Sequence, residues 1–314
     1  MEDWELIIIG AGPAGLTAGI YAARSGLETL ILEEKVPGGL AATAPLIENY
    51  PGFPEGIMGP DLTDRMLSQC RRFGAEVRGS EGVTELVLSG EKKRVKTESS
   101  EYEGEALIIA SGSKHRTLGV PGETEFHGKG VSYCAVCDGF FFRGKKVLVV
   151  GGGNCAAMSA LYLDNLASEV YLAHRRDRLR AEEAYVRELR ARGIKFLWDR
   201  EVKEILGETT VKNVVLFDKK AGKNEEVPVD GVFVLVGKTP NSRFARVAGV
   251  EVDKEGYIQV DAFQRTNVPG IYAAGDVTAC PVKQIGTALG QAIIAATEAF
   301  SYVKQPYHSG KQWV

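Results

Sequence analysis

Two cysteines separated by two residues, Cys134 and Cys137, with Asp138 directly after the second, make SYCAVCDGFF the stretch of this chain most suited to chemistry. Such a pair can be half of a zinc site, two buried thiols packed as small hydrophobes, or a dithiol that opens and closes in a reaction. A zinc site needs four ligands, commonly as two close pairs. Cys70, Cys155 and Cys280 are isolated, and His115, His127, His174 and His308 show no paired spacing, so no metal site is expected. A redox pair is the leading reading for an intracellular chain. Packed thiols remain the alternative that the pair alone allows.

The elements that must position this pair announce themselves as nucleotide-binding units. Leu6–Ile9 is a continuous apolar run, the mark of a buried parallel strand. GAGPAG follows, with Gly10, Gly12 and Gly15 in a G-x-G-x-x-G pattern, then a small-residue helix, then the strand LETLILEE ending in Glu33. Gly10 makes the tight turn, Gly12 lets backbone approach a pyrophosphate, and Gly15 lets the helix pack on the sheet. The helix N-terminus offers free amides and a positive dipole end to phosphate. Glu33, 23 residues after Gly10, can accept from ribose hydroxyls, as FAD or NAD would require.

The pattern recurs in KKVLVVGGGNCAAMSALYL, with Gly151, Gly153 and Ala156 at turn positions. At the same 23-residue separation this unit has His174, followed by Arg175 and Arg176, with Arg180 close behind. A carboxylate there would repel a 2′-phosphate, whereas guanidinium groups bind phosphate through charge-assisted bonds, so the second turn is fitted to NADP. A solvated helix face is the bland reading of these arginines, and their register after the turn speaks against it. The segments GVTELVLS and RVKTES read as a hairpin about GEKK. In the second unit EVKEILG, VKNVVLFD, a turn KKAGKNEE and GVFVLVGKTPN repeat the scheme, and GIYAAGDV with a final small-residue helix is expected to complete the first domain. Duplication on this scale implies two similar domains rather than a solenoid.

Composition bounds the remaining classes. A net charge of −3, with no basic stripe or charged tail, argues against nucleic acid as a partner. No apolar run approaches the length of a membrane span, and MEDWELIIIG is no secretory signal, so a soluble cytoplasmic protein without membrane contact is expected.

The ordered set GAGPAG, ENYPGF, ASG, CAVCDG, GGGNCAA, HRRDRLRA, VGKTPN, GIYAAGDV and KQIGTALG resembles low-molecular-weight thioredoxin reductase, a flavoprotein family with two dinucleotide-binding domains, over nearly the whole chain. The resemblance implies an α/β fold of two Rossmann-like, three-layer (ββα) domains, the second inserted in the first. Residues 1–116 and 244–314 would bind FAD, and residues 117–243 would bind NADPH and carry the redox pair. It further implies a homodimer, domains that rotate between two conformations, and a thioredoxin-like or glutaredoxin-like partner. The pair is then a redox disulfide in which Cys137 faces the flavin, Cys134 exchanges with the partner, and Asp138 is the acid–base group. Exchange is done by thiolates, so a neighbour must accept and return a proton, and Asp138 would need a raised pKa. Its other possible use is as a helix cap or turn.

By the same resemblance Gly10, Gly12, Pro13, Ala14 and Gly15 take the FAD pyrophosphate and Glu33 its ribose. Gly38, Gly39, Leu40, Asn49, Ala110, Ser111, Gly112, Gly275, Asp276, Val277, Lys283, Gln284 and Ile285 approach the rest of the flavin nucleotide. Gly151, Gly153, Asn154, Cys155, Ala156, His174, Arg175, Arg176 and Arg180 hold NADPH. The chain departs from the family at Leu40 (usually Gln), Lys283 (usually Arg), Cys155 (usually Ser) and Met158, where a Glu helps to seat the nicotinamide. Met158 also suits a plain core position of its helix. The competing readings are the same flavin disulfide reductase with a donor other than NADPH, and a nucleotide-sensing module with no turnover.

Overall fold

A computed structural model describes residues 1–44, 47, 49–88, 90 and 92–304. Among these the chain divides into two compact units, Met1–Lys114 with Thr239–Val314, and His115–Lys238.

The first unit opens with β1 (Glu2–Ile9), whose Leu6, Ile7 and Ile8 are fully buried. α1 (Pro13–Arg24) returns the chain to β2 (Thr29–Leu32), buried throughout. α2 (Gly59–Arg72) precedes β3 (Glu76–Arg78), and then come β4 (Glu85–Val87), β5 (Lys93–Lys96) and β6 (Glu101–Ile109). The sheet order is β3-β2-β1-β6-β5-β4. Strands β3, β2, β1 and β6 run parallel, while β5 and β4 meander antiparallel from β6. β4 and β5 are the expected hairpin strands, and residues 89 and 91 of its turn lie outside the described set. The short strand β7 (Ser113–His115) leads out of this unit.

The second unit contains β8 (Val131–Ser132), α3 (Ala135–Asp138), β9 (Lys146–Gly151), α4 (Asn154–Asp164), β10 (Glu169–His174), α5 (Glu183–Ala191) and β11 (Lys195–Trp198). It continues with β12 (Arg200–Gly207), β13 (Val211–Asp218), β14 (Lys223–Pro228) and β15 (Gly231–Leu235). A parallel sheet of order β11-β10-β9-β15-β8 lies beside an antiparallel ribbon β12-β13-β14. The turn expected over KKAGKNEE is shorter than the sequence suggested. Asp218 accepts from the amides of Lys220 and Ala221, and Gly222 takes φ +64°, so the reversal closes by residue 222 and the polar Lys223–Glu226 pairs with β13 as an edge strand.

Strand β16 (Lys238–Pro240) pairs with β7 in a two-stranded ribbon, so that the outgoing and returning segments run side by side. The chain then adds α6 (Arg243–Val247), β17 (Ile271–Ala273) and α7 (Ile285–Lys304) to the first unit. β17 lies parallel to the end of β6, and its Ile271 and Ala273 join Ile7, Ile9, Leu107 and Ile109 in one core. The last ten residues of the expected second FAD-domain segment, 305–314, lie outside the described set.

Candidate active site

The cysteine pair begins where the edge strand β8 ends. Cys134, in an extended conformation, is the N-cap of α3, and its Sγ accepts the Cys137 amide at 3.2 Å. Cys134 and Cys137 are joined as a disulfide, with Cα atoms 5.3 Å apart. Asp138 makes no side-chain capping bond to the 3₁₀ turn that follows it, Gly139–Phe142, which removes the capping reading. Its Oδ2 instead accepts the Ser132 hydroxyl at 2.6 Å, and that hydroxyl oxygen accepts the Cys134 amide at 3.0 Å. Burial raises the Asp138 carboxyl above its ordinary range, opposed by the Ser132 bond and the charge of His127. A carboxyl so placed keeps a proton at higher pH than a surface aspartate does.

In the first unit the glycine turn is sterically closed around its backbone. Gly10 has φ +104°, and a Cβ there would lie 2.5 Å from the Ala110 carbonyl oxygen. A Cβ on Gly15 would lie 1.8 Å from the Gly10 carbonyl oxygen. Gly12, the N-cap of α1, has only Gly39 Cα near its missing Cβ, and no side chain caps the helix. Pro13 opens the helix, so its first turn carries amides with no intrahelical partner, open to a phosphate. Gly38 (φ +126°) and Gly39 (φ +57°) pass beside this turn, with the Gly38 amide bonded to Ala11 O at 2.8 Å. Leu40 is 41% exposed in the 3₁₀ turn Gly39–Thr43. The Glu33 carboxylate accepts the Ala11 amide at 2.8 Å and the Lys35 amide at 3.0 Å. It is thereby aimed beside the turn, as a ribose would require. The residues present fit an adenine dinucleotide with free ribose hydroxyls.

The C-terminal contribution meets the same unit. Asn49 donates to Gln284 at 3.2 Å across 235 residues of sequence, so two positions named only by motif are neighbours. Asp276 Oδ2 accepts the Ser113 hydroxyl at 3.1 Å, and the Gly275 amide is bonded to Gln291 at 2.8 Å. The Lys283 ammonium donates to the carbonyls of Asp276 and Thr278 and lies 4.2 Å from the Tyr257 ring centroid. Ile285 begins α7. Ser111 exchanges hydrogen bonds with Asn241, and Gly112 O accepts the Asn241 amide. Ala14 is core, packed where a Gly275 Cβ would stand, 2.8 Å away, and Val277 is fully buried, so neither side chain is available to a ligand.

The second turn repeats the steric device with different side chains. A Cβ on Gly151 would meet Leu235 O at 2.5 Å and Ala156 Cβ at 2.6 Å, whereas the space at Gly153, the N-cap of α4, is open. Asn154 and Glu182 clasp each other, Asn154 Nδ2 donating to Glu182 Oε1 at 2.7 Å and the Glu182 amide donating back at 2.8 Å. With Arg180 N bonded to Gly152 O at 2.6 Å, this clasp holds the arginine-bearing loop onto the turn. Arg175, Arg176 and Arg180 are exposed. His174 differs from them. It is 8% exposed, desolvation lowers its pKa, and its ring bonds to the Gly151 backbone while Nε2 is buried without a partner. Free amides at the turn and three exposed guanidinium groups fit a phosphorylated nucleotide. Met158 is 52% exposed, not a core residue: the inward face of α4 is taken by Ala156, Ala157, Ser159, Ala160 and Leu163, and Cys155 and Met158 fall on the outer face.

The sequence reading missed Ser132, Ser113, Gly152, Glu182 and Gln291. Ser132 lies in the quoted cysteine motif and Ser113 directly after ASG, so position relative to a motif was the signal available. Gly152 cannot bear a Cβ because His174 Cε1 would lie 2.1 Å away. Among the described residues no group of three or more His, Cys, Asp and Glu side chains is assembled to hold a metal; His308 lies outside them.

A disulfide beside a proton-holding carboxyl, on a chain with two dinucleotide turns of opposite electrostatic character, defines a nucleotide-driven dithiol–disulfide oxidoreductase. The chain belongs to the pyridine nucleotide-disulphide oxidoreductase family, whose profile matches residues 4–299. It is 45% identical to a thioredoxin reductase of Listeria innocua over 304 residues, covering 96% of this chain and 94% of that one. It is 44% identical to a thioredoxin reductase of Bacillus subtilis over 308 residues, covering 96% and 95%. The crystal structure of thioredoxin reductase from Streptococcus pyogenes matches with TM-score 0.84 and 42% identity, over 96% of this chain and 99% of that one.

Proposed function

We infer that this protein is an FAD- and NADPH-dependent thioredoxin reductase. The observation that carries the reading is the Cys134–Cys137 disulfide with the half-buried carboxyl of Asp138 bonded into its loop. The unit Met1–Lys114 with Thr239–Val314 is the FAD-binding domain, and His115–Lys238 is the NADP-binding domain that carries the disulfide. Among the described residues no helix is long and apolar enough to cross a membrane. The family resemblance supports a cytoplasmic homodimer.

FAD, held at the Gly10–Gly15 turn and Glu33, would supply the two-electron relay between NADPH and the disulfide. The Cys134 thiolate attacks the disulfide of thioredoxin, or of a glutaredoxin-like protein, forming a mixed disulfide and expelling one partner thiolate. That thiolate takes the proton held by Asp138. The Cys137 thiolate then attacks the Cys134 sulfur, restores the disulfide and expels the second partner thiolate, which takes its proton from solvent. One NADPH and one proton are consumed for each disulfide reduced to a dithiol. Only a protonated Asp138 can protonate the leaving sulfur, and its raised pKa extends the pH range in which that form exists.

The test is anaerobic titration of the FAD-loaded protein with NADPH, followed by oxidised thioredoxin. The flavin absorbance is expected to bleach with NADPH and to return on adding thioredoxin disulfide. A flavin that NADPH leaves oxidised but dithionite bleaches would exclude NADPH as donor. A reduced protein that thioredoxin disulfide does not reoxidise would exclude the activity.

A further inference from the structure

Ser132 is buried to 2% exposure at the end of β8, where it pairs with Phe233 of β15, so the sheet fixes its backbone. Its single hydroxyl has two acceptors in range, Asp138 Oδ2 at 2.6 Å and Cys134 O at 3.2 Å. The shorter contact, to a carboxylate, takes the proton. The same oxygen accepts the Cys134 amide at 3.0 Å, and the Asp138 amide donates to Cys134 O at 3.1 Å. Three bonds thus form a closed ring: Ser132 to Asp138, Asp138 to Cys134, and Cys134 back to Ser132. None of them involves sulfur, so the ring can persist whether the disulfide is open or closed.

We propose that Ser132 is the positioning residue of the thiol–disulfide exchange, holding the Asp138 carboxyl in one orientation against the backbone of Cys134. The proposal rests on the reading of Asp138 as the proton-holding group. A hydroxyl suits the task because it can donate to the ionised carboxylate and accept from the protonated acid, so the contact survives the proton's departure. Other groups bear on Asp138 without replacing this bond. His127 contributes charge, and its ring lies edge-on to Tyr133, 5.3 Å between centroids. Tyr133 donates its hydroxyl to the buried Glu123 at 3.0 Å. From α4, Tyr162 and Leu163 pack against Gly139 and confine the acid's C-terminal neighbour.

The test uses FAD-loaded holoenzyme, reduced to the dithiol and mixed with thioredoxin disulfide by stopped flow over a range of pH. Ser132→Ala is expected to slow reoxidation about tenfold, the loss of one hydrogen bond to a charged group. The ionisation seen in the rate should move to higher pH, because the Ser132 bond is one of the contacts that lower the Asp138 pKa. Ser132→Thr should restore rate and pH profile, and Ser132→Ala combined with Asp138→Asn should be no slower than Asp138→Asn alone. A wild-type rate and profile in Ser132→Ala would overturn the proposal. So would a slower rate with an unmoved profile that Thr does not rescue, which is the mark of a merely structural role. If Ser132→Ala fails to bind FAD, the near-isosteric pair Ser132→Thr and Ser132→Val decides instead, and equal behaviour of those two overturns it. Full activity in Asp138→Asn would sink the reading of Asp138 itself and this proposal with it, whereas a slow Asp138→Asn beside a normal Ser132→Ala sinks this proposal alone.

Discussion

Replacing Glu33 with Gln tests whether the carboxylate beside the first glycine turn holds a ribose or only staples the turn. Both oxygens are engaged by backbone, one by the Ala11 amide at 2.8 Å in a part-buried contact, the other by the Lys35 amide at 3.0 Å in an exposed one. A glutamine keeps one acceptor oxygen and turns an NH₂ group toward the other donor, so one amide loses its partner. Hydrogen bonds to charged groups contribute about 1.5–3 kcal/mol, and solvent puts the exposed Lys35 contact below that range. If the carboxylate also accepts from the ribose, the amide weakens that bond as well, and about 1.5 kcal/mol, or roughly tenfold, should appear in the FAD dissociation constant. Fluorescence titration of apoprotein with FAD measures this quantity, and thermal unfolding of the apoprotein measures the staple separately. A dissociation constant within about twofold of wild type, with a lowered apoprotein Tm, would refute the ribose role and leave Glu33 as a clamp on the turn.

Two further outcomes follow from the same geometry. Cys137→Ser should accumulate a mixed disulfide between Cys134 and thioredoxin, while Cys134→Ser should form none; both should keep FAD and lose turnover, as read by non-reducing electrophoresis and NADPH consumption. Replacing Arg175 and Arg176 together with Ala should raise KM for NADPH about tenfold or more, the loss of charge-assisted phosphate contacts, while leaving KM for NADH unchanged.

The parts of this structure that could be read in advance are those whose physical demand is local. Gly10 must adopt a positive φ against Ala110, Gly15 must pass the Gly10 carbonyl, and buried parallel strands need runs such as LIII, so each unit is visible in a short window. Contacts closed only by the fold were not visible in that way. Asn49 meets Gln284 across 235 residues, and no local pattern announces the partner of either. Ser132 lies two residues before a cysteine, a place that imposes no particular use on a serine until β8 and α3 bring it to Asp138. Met158 misled for the same reason: a methionine in an alanine-rich helix suits a core, and only the facing of α4 turns it outward. The edge strand β14 was hidden because a strand with one solvated face and one free edge can be built from Lys, Asn and Glu.

The two turns also show why equal spacing does not mean equal role. Glu33 and His174 stand at the same separation from the first glycine of their turns, which invites reading both as the residue that meets the adenosine ribose. Glu33 is half-buried and held by two amides, so its carboxyl group is directed beside the turn. His174 is packed beneath Gly152, so tightly that only glycine is tolerated there, and burial drives it toward the neutral form. A neutral imidazole bonded to the Gly151 backbone cannot supply the positive charge that a 2′-phosphate requires. The clasp of Asn154 with Glu182 and the bond from Arg180 N to Gly152 O bring the exposed loop Arg175–Arg180 to the turn instead. We therefore propose that selection of the phosphorylated nucleotide falls to the arginines, with His174 shaping the glycine turn on which they are arranged.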